Sequence, residues 1–550
     1  MSLYRTLIVG RIEQCSALSV GGTPEVETGS DSCFRDGAGR LTIPGTSLAG
    51  ALIETAARLF PSLVSDQPNS RLLGDQVTGK TTTIPQSKAR DDQAEFVQSV
   101  WRLRNSHPVT VNGTADVATE WRQGVGIRQA TGTTAQNKRA LYDFEVVPTG
   151  THWSFLLEID THRGGQVAEA LAILTLNEWC ESRGWLGRSA ARGTGWIKLA
   201  KDGLTVLRLP KTPDLIEAWP NNSAANLSTL LARLVGAGAV NGDWSELLLE
   251  SQVVAEERQW AGGQWHYLTI PVTLDVGKPT AADFGWNVLQ VAGYPCGDLT
   301  ANAVTLVGPL SVADGDNWRE SKTPDAPFVN TKPRGGSVQP FLPGSGLRGS
   351  LRHTTSRLAR GEQVAVRDPN WRDDPEAKAL RQQLDEKRKQ VRHLSDSDVR
   401  PLADELTKHF GSEELCGRVL VSDALLTNPN DFQLAQTEHH AEDEFTGGVY
   451  GSGKFDKQVL LTGQLQFRIV LEAATLDELQ TLAQRLAPAL ELARLGHLPI
   501  GGGKWRGAGW VPWKFGSMQR THAGESVDEQ QDATRISIRS RLTEILPSTT

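Results

Sequence analysis

Leu41-Thr-Ile-Pro-Gly-Thr-Ser-Leu-Ala-Gly-Ala-Leu52 reads as a Pro-Gly turn that opens a helix continuing through Ile53 to Phe60. The pattern returns as Phe341-Leu-Pro-Gly-Ser-Gly-Leu-Arg-Gly-Ser-Leu351, whose helix continues through His353 to Arg360. A second motif follows each helix in the same order: Arg192-Gly-Thr-Gly-Trp196, then Arg506-Gly-Ala-Gly-Trp510. Pro44 and Pro343 stand 299 positions apart, Arg192 and Arg506 314 positions apart. Chance supplies one such match readily. Two matches in one order at nearly one offset indicate a duplicated unit.

Working outward, each half reads as α+β. Tyr4–Val9 alternates as a strand, and a polar, Gly-rich stretch (Gly21–Gly39) precedes the first Pro-Gly turn. Thr151–Asp160 is a strand with Trp153, Phe155 and Leu157 on one face. Val167–Arg183 has helical spacing, and the strand Trp196–Leu199 follows a Gly-rich turn. In the second half Val459–Leu471 is the strand and Leu476–Leu495 the helix. This order predicts two tandem ferredoxin-like (RRM-like) domains carrying inserted loop regions. The expected divisions are 1–203 and 265–523, joined by a connector at 204–264. A charged inserted helix lies in about 361–405, and a polar tail occupies 524–550. The basic run Lys387-Arg-Lys389 in that insert reads as a solvated face.

Composition narrows the function classes. The 57 basic and 64 acidic side chains give a net charge of −7, so nucleic-acid binding would need a local positive groove rather than a basic global field. The five cysteines are scattered, which argues against zinc and against a disulfide framework and suits a reducing cytoplasm. The first residues turn polar too soon for a signal peptide, and no apolar run reaches the ~20 residues that span a bilayer. A cytoplasmic protein with no membrane partner is expected.

Gly187-Arg-Ser-Ala-Ala-Arg-Gly-Thr-Gly195 and Gly501-Gly-Gly-Lys-Trp-Arg-Gly-Ala-Gly509 interleave glycines with cations. Glycine lets backbone N–H groups approach an anion, and Lys or Arg beside them adds charge and bidentate donors. Neither loop is a Walker motif, because Trp505 follows Lys504. A tight helix-to-strand turn with solvated arginines is the plain alternative. Recurrence at equivalent positions favours a sugar-phosphate backbone. Gly187, Arg188, Arg192, Gly193, Gly195, Gly501, Gly502, Gly503, Lys504, Arg506 and Gly507 are therefore candidate RNA contacts.

Taken together these motifs resemble the RAMP superfamily of CRISPR effector complexes, most of all the type III backbone subunit of the "Cas-seven" type. Ile43-Pro-Gly-Thr-Ser-Leu-Ala-Gly50 is similar to the family's Pro-Gly-Ser-Ser-Leu-Lys-Gly element. Gly124-Val-Gly126-Ile127-Arg128 through Leu141-Tyr-Asp-Phe-Glu145 and Thr149-Gly150 resembles its thumb and the strand behind it. Phe410-Gly411, Gly417-Arg-Val-Leu-Val-Ser-Asp423, Thr446-Gly-Gly448 and Thr462-Gly463 are similar in the second half. Two copies on one chain resemble the fused backbone subunits of some type III-D systems. The resemblance implies a guide RNA, a complementary target RNA and other type III effector subunits as partners. It adds Ser47, Arg128, Gly344 and Arg348 to the RNA-contact set.

The family's target-cleaving residue is an aspartate in the loop before the Pro-Gly helix. The resemblance assigns that role to Asp31 in Asp31-Ser-Cys-Phe-Arg-Asp36, with Cys33 where the family has proline. It assigns the same role to Asp325 in Thr323-Pro-Asp325-Ala-Pro-Phe-Val329. Read from residue type alone, either Asp is a turn-capping carboxylate. As catalysts, each would bind Mg²⁺ or Mn²⁺ or orient a 2′-hydroxyl for attack on the adjacent phosphate. Asp36, Glu25, Glu27, His107 and the pair His439-His440 read first as loop or strand residues. A non-catalytic RNA scaffold is the competing reading. A carbohydrate-binding protein, suggested by the 16 tryptophans, is disfavoured by the repeat.

Overall fold

The computed structural model describes residues 3–21, 32–60, 99–109, 117–125, 141–210, 227–236, 239–260, 265–277, 302–303, 330–364, 378–379, 382–386, 400–412, 415–442, 445–446, 449–502, 509–522, 525–529 and 537–546. The chain forms two compact units. One comprises Met1–Arg122, Asp143–Ala190 and Gly195–Gln264; the other comprises Gln123–Tyr142, Ala191–Thr194 and Trp265–Thr550.

From Leu3 to Glu257 the elements run β1 (Leu3–Gln14), α1 (Gly45–Leu59), β2 (Trp101–Leu103), β3 (Glu120–Val125), β4 (Leu141–Val146), β5 (His152–Ile159), α2 (Thr161–Cys180), β6 (Gly184–Trp185), β7 (Trp196–Leu199), β8 (Thr205–Pro210), α3 (Leu227–Gly236), β9 (Val240–Gly242) and α4 (Trp244–Glu257). The sheet contains the order β7–β1–β5–β2, with α1 between β1 and β2 and α2 after β5, which is ferredoxin-like. β1 alternates between faces. Ile8 and Ile12 join Trp153, Phe155 and Leu157 under α1 and α2, while Leu7 and Val9 meet Leu207, Leu209 and Leu234 on the opposite side. Residues 204–264 supply β8, paired to β1, and α4, whose Leu247 enters the α1–α2 core.

The second unit repeats the plan. Its elements are β10 (His266–Val276), β11 (Asn302–Ala303), β12 (Asn330–Thr331), β13 (Gln339–Leu342), α5 (Gly344–Gly361), α6 (Glu405–Phe410), β14 (Val419–Val421), β15 (Ala424–Leu426), β16 (Phe432–Glu442), β17 (Val449–Ala473), α7 (Leu476–Arg494), β18 (Trp513–Phe515), β19 (Gln519–His522), β20 (Glu525–Asp528) and α8 (Ile538–Ile545). The equivalent order is β18–β10–β17–β14. α5 and α7 bury Leu347, Leu351, Leu482, Leu486 and Leu490 in one core. The early part of β17 pairs with β16 as a long hairpin that turns at Phe445-Thr446.

The charged insert and the polar tail, whose Ile536–Leu546 has the pattern of a short helix, both contribute apolar anchors. Leu384, within the charged insert, is buried beside Ala403 and Leu415. Ile538, Leu542 and Ile545 of α8, with Leu546 directly after it, enter the second core, following the i, i+4, i+7, i+8 spacing of one helix face. Arg541 fixes α8 with a bidentate pair to Glu529 at 2.7 Å and a bond to the Gly516 carbonyl at 2.6 Å. No helix among the described residues is long and apolar enough to cross a membrane.

Candidate nucleic-acid interface

The two Pro-Gly helix starts are built alike. The Gly45 N–H donates to Asn105 Oδ1 at 2.9 Å, and the Gly344 N–H donates to Asp423 Oδ1 at 2.8 Å. A Cβ at Gly45 would lie 2.4 Å from the Leu103 carbonyl oxygen; one at Gly344 would lie 2.4 Å from that of Val421. Only glycine therefore lets each helix start against its strand. Neither helix has an acidic residue in its first turn. Thr46 and Gly50 are exposed on α1, with Ser47 half-buried; Ser345, Gly346 and Gly349 are exposed on α5. A Cβ on Gly50, Gly346 or Gly349 would meet nothing within 4 Å. Gly50 and Gly349 are interior helix glycines, a choice that costs about 1 kcal/mol against alanine. Packing inside the unit does not demand it, whereas close approach by an outside backbone would.

The Gly-rich loops also share backbone geometry. Gly187 and Gly501 have φ of +74° and +73°; Gly195 and Gly509 have φ of +77° and +81°. The Leu186 N–H donates to the Gly195 carbonyl at 2.7 Å, and the Ile500 N–H to that of Gly509 at 3.0 Å. A Cβ at Gly195 or Gly509 would come within 1.9 Å of the Leu186 or Ile500 carbonyl oxygen. The loops are thus tight turns. The first one also leaves Gly187, Arg188 and Arg192 at the surface, while Gly193 is buried with φ +94°. Gly501 and Gly502 are half-buried. Gly503, Lys504, Arg506, Gly507 and Arg128 lie outside the described residues, as do Asp31 and Asp325.

The arm that follows Asp31 is well defined from Ser32 onward. The Phe34 N–H donates to Val20, the Thr42 N–H donates to Phe34, and Gly21 bridges Cys33. Cys33 is buried, and that burial, with the neighbouring Glu145 carboxylate, pushes its thiol up to about 12. It is a packing residue, inert as a nucleophile. Asp36 caps its own turn, accepting from the N–H groups of Ala38 and Arg40 and from the Arg40 side chain. Those bonds hold its carboxyl below the usual range. His107 Nδ1 lies 3.1 Å from the Thr42 hydroxyl. Sequence reasoning missed Glu145, the hub of this region. It accepts from the Cys33 N–H and the Arg35 guanidinium, both at 2.6 Å, and from the Thr119 hydroxyl.

Arg348 has a different setting from the surface one its sequence context suggests. It is 7% exposed and donates to the carbonyls of Val419, at 2.8 Å, and Phe410. Its guanidinium also covers the Phe410 ring. Burial, aided by neighbouring Arg352, lowers its pKa to about 9. A Cβ at Gly417 would lie 2.6 Å from Arg348 Nη2, so Gly417 makes room for this clamp. The side chain thereby ties α5 to α6 and β14.

The hairpins expose aromatic groups. Trp121 on β3 is 51% exposed, and Phe445 at the β16–β17 turn is 96% exposed. His439 and His440 are consecutive residues of β16, paired with Phe455 and Lys454. Among the described residues, no group of three or more His, Cys, Asp or Glu side chains stands where it could hold a metal ion. Asp36 and Glu145, the described carboxylates beside the Asp31 arm, are already engaged by donors.

Compared with known families, the chain matches the model of the RAMP superfamily over residues 16–198 and again over 303–511. No curated protein matches it.

Proposed function

The chain belongs to the RAMP superfamily, and from that premise we propose that it is a guide-RNA-binding double backbone subunit of a type III CRISPR effector complex that cleaves guide-complementary target RNA. Family membership supports the coarser part, a CRISPR-associated RNA-binding subunit. The observation that carries RNA binding is the twice-built pair of bare glycine helix starts and glycine loops. Phosphates suit such a surface: a helix N-terminus carries partial positive charge, and the bare glycines admit a backbone. Arg188 and Arg192 add exposed charge beside the first loop. Trp121 and Phe445 offer faces on which bases stack.

Cleavage belongs to Asp31 and Asp325. In this reading a target nucleotide is displaced from its stack, and its 2′-oxygen attacks the adjacent phosphorus in line. The 5′-oxygen leaves, giving a 2′,3′-cyclic phosphate and a 5′-hydroxyl. The aspartate orients the attacking hydroxyl. A Mg²⁺ or Mn²⁺ ion, held by the aspartate with RNA oxygens and water, would offset phosphate charge. The partners are guide RNA, target RNA and neighbouring effector subunits in the cytoplasm. The scaffold reading shares every RNA contact and differs only at the two aspartates. RNA co-purified with the native complex tests the setting: short RNAs with a common repeat-derived tag are expected, and bulk cellular RNA without such a tag would overturn it.

A further inference from the structure

Gly21 and Cys33 form a β-bridge, so the two ends of the segment containing Asp31 are neighbours. Side chains from two other parts of the first unit flank that base. On the Gly21 side lies the Arg188 guanidinium; a Cβ at Gly21 would be 2.9 Å from its Nη2. On the Cys33 side stands Glu145, 4% exposed. The Cys33 N–H donates to its Oε2, Arg35 and Thr119 donate to its Oε1, and the Cys33 thiol faces its backbone carbonyl at 3.3 Å. A buried carboxylate must be paired and hydrogen-bonded to remain charged. Here the donors come from two places: the arm beginning two residues after Asp31, and Thr119, directly before β3. Glu145 itself belongs to β4. One carboxylate thus joins the arm that follows Asp31 to β4 and to the residue directly before β3.

We infer that Glu145 is the positioning residue of the first unit, holding the arm that follows Asp31 against Thr119 and the end of β4. The inference rests on the proposed cleavage at Asp31. Its contribution is alignment, since in-line attack loses rate steeply with small displacements.

The test uses the assembled effector complex, an end-labelled target and the variants Glu145→Ala, Glu145→Gln, Thr119→Val and Asp31→Ala. Glu145→Ala should slow the cut that Asp31→Ala abolishes by at least tenfold in a single turnover. Guide content and target affinity should stay within twofold, and the cut supplied by Asp325 should persist. Glu145→Gln keeps one acceptor oxygen, for Cys33 or for Thr119 but not for both, and loses the charge facing Arg35, so its rate should fall in between. If Glu145→Ala does not assemble, Thr119→Val removes only the hairpin tie and should slow the same cut three- to tenfold. Wild-type rates in Glu145→Ala and Thr119→Val, with Asp31→Ala inactive at that position, would overturn the inference and leave the cleavage reading standing. Loss of both cuts together with target binding would reduce Glu145 to a structural residue. An unchanged pattern in Asp31→Ala would remove the reading beneath it.

Discussion

Arg348 and Arg188 look alike in the sequence, each an arginine in a glycine-rich setting, yet they occupy opposite environments. Arg348 is enclosed and satisfies two backbone carbonyls. Arg348→Ala strands those carbonyls and opens a void, so it should destabilise the second unit by about 2–4 kcal/mol in chemical denaturation. Arg188 is exposed, and Arg188→Ala should change stability by less than about 0.5 kcal/mol. Its effect belongs to RNA: affinity should fall similarly for guides of unrelated sequence, and the slope of log K against log salt should drop by about 0.7 for a lost single-strand phosphate contact. An unchanged slope would take Arg188 off the RNA surface. The sequence could not separate these two residues. The burial of Arg348 depends on Phe410, Gly417 and Val419, all more than 60 positions away. Glu145 escaped notice for the same reason: its partner Cys33 is 112 positions distant, and a lone Glu in an alternating strand reads as solvent-facing.

At the scale of elements, the Pro-Gly helices and Gly-rich turns were legible because backbone demands leave a residue signature. A carbonyl within 2.4 Å of a would-be Cβ, or a φ near +75°, admits glycine and little else. Gly50 and Gly349 differ, since nothing within either unit crowds them. Gly50→Ala and Gly349→Ala should each stabilise the protein by about 0.5–1 kcal/mol while weakening RNA binding. Paired melting and binding curves check this, and a gain in stability with unchanged binding would show that no backbone approaches there. α6 carries a pH prediction. Burial, with Arg400, Arg485 and Lys408 nearby, lowers the pKa of His409 from 6.5 to about 4. The folded state then binds fewer protons than the unfolded chain between those values. Stability is therefore full above pH 6.5 and falls as the pH drops toward 4, by about 3 kcal/mol in all. Measured against His409→Gln, wild type should lose most of that amount between pH 7 and 4.5; a difference independent of pH would refute the assignment.

Across the whole molecule, duplication is the feature most open to sequence reading and the one with the largest functional consequence. A net charge of −7 on 550 residues leaves RNA to be held by local surfaces rather than a global field. The described parts of those surfaces recur with matching φ angles and matching carbonyl approaches. If both copies work, each brings its own aspartate: Asp31 before the first Pro-Gly helix, Asp325 before the second. The target should then be cut at two positions separated by the spacing of adjacent backbone domains on the guide. Asp31→Ala should erase one cut and Asp325→Ala the other. The double variant should erase both while target binding persists, because the proposed RNA contacts lie on the glycine surfaces and not on the aspartates. EDTA should reproduce the double variant if a divalent ion offsets the phosphate charge. The two halves also depart from the family pattern differently. Cys33 replaces a proline in the first, but it is buried and tied to Glu145, so the arm gains through side-chain bonds the rigidity that a proline ring would confer. In the second half Asp325 stands 18 positions before Pro343, against 13 between Asp31 and Pro44. End-labelled target fragments from wild type, both single variants and the double variant decide between two active units, one, and none. A pattern unchanged by Asp325→Ala but altered by Asp31→Ala would assign cleavage to the first unit and leave the second to hold the guide.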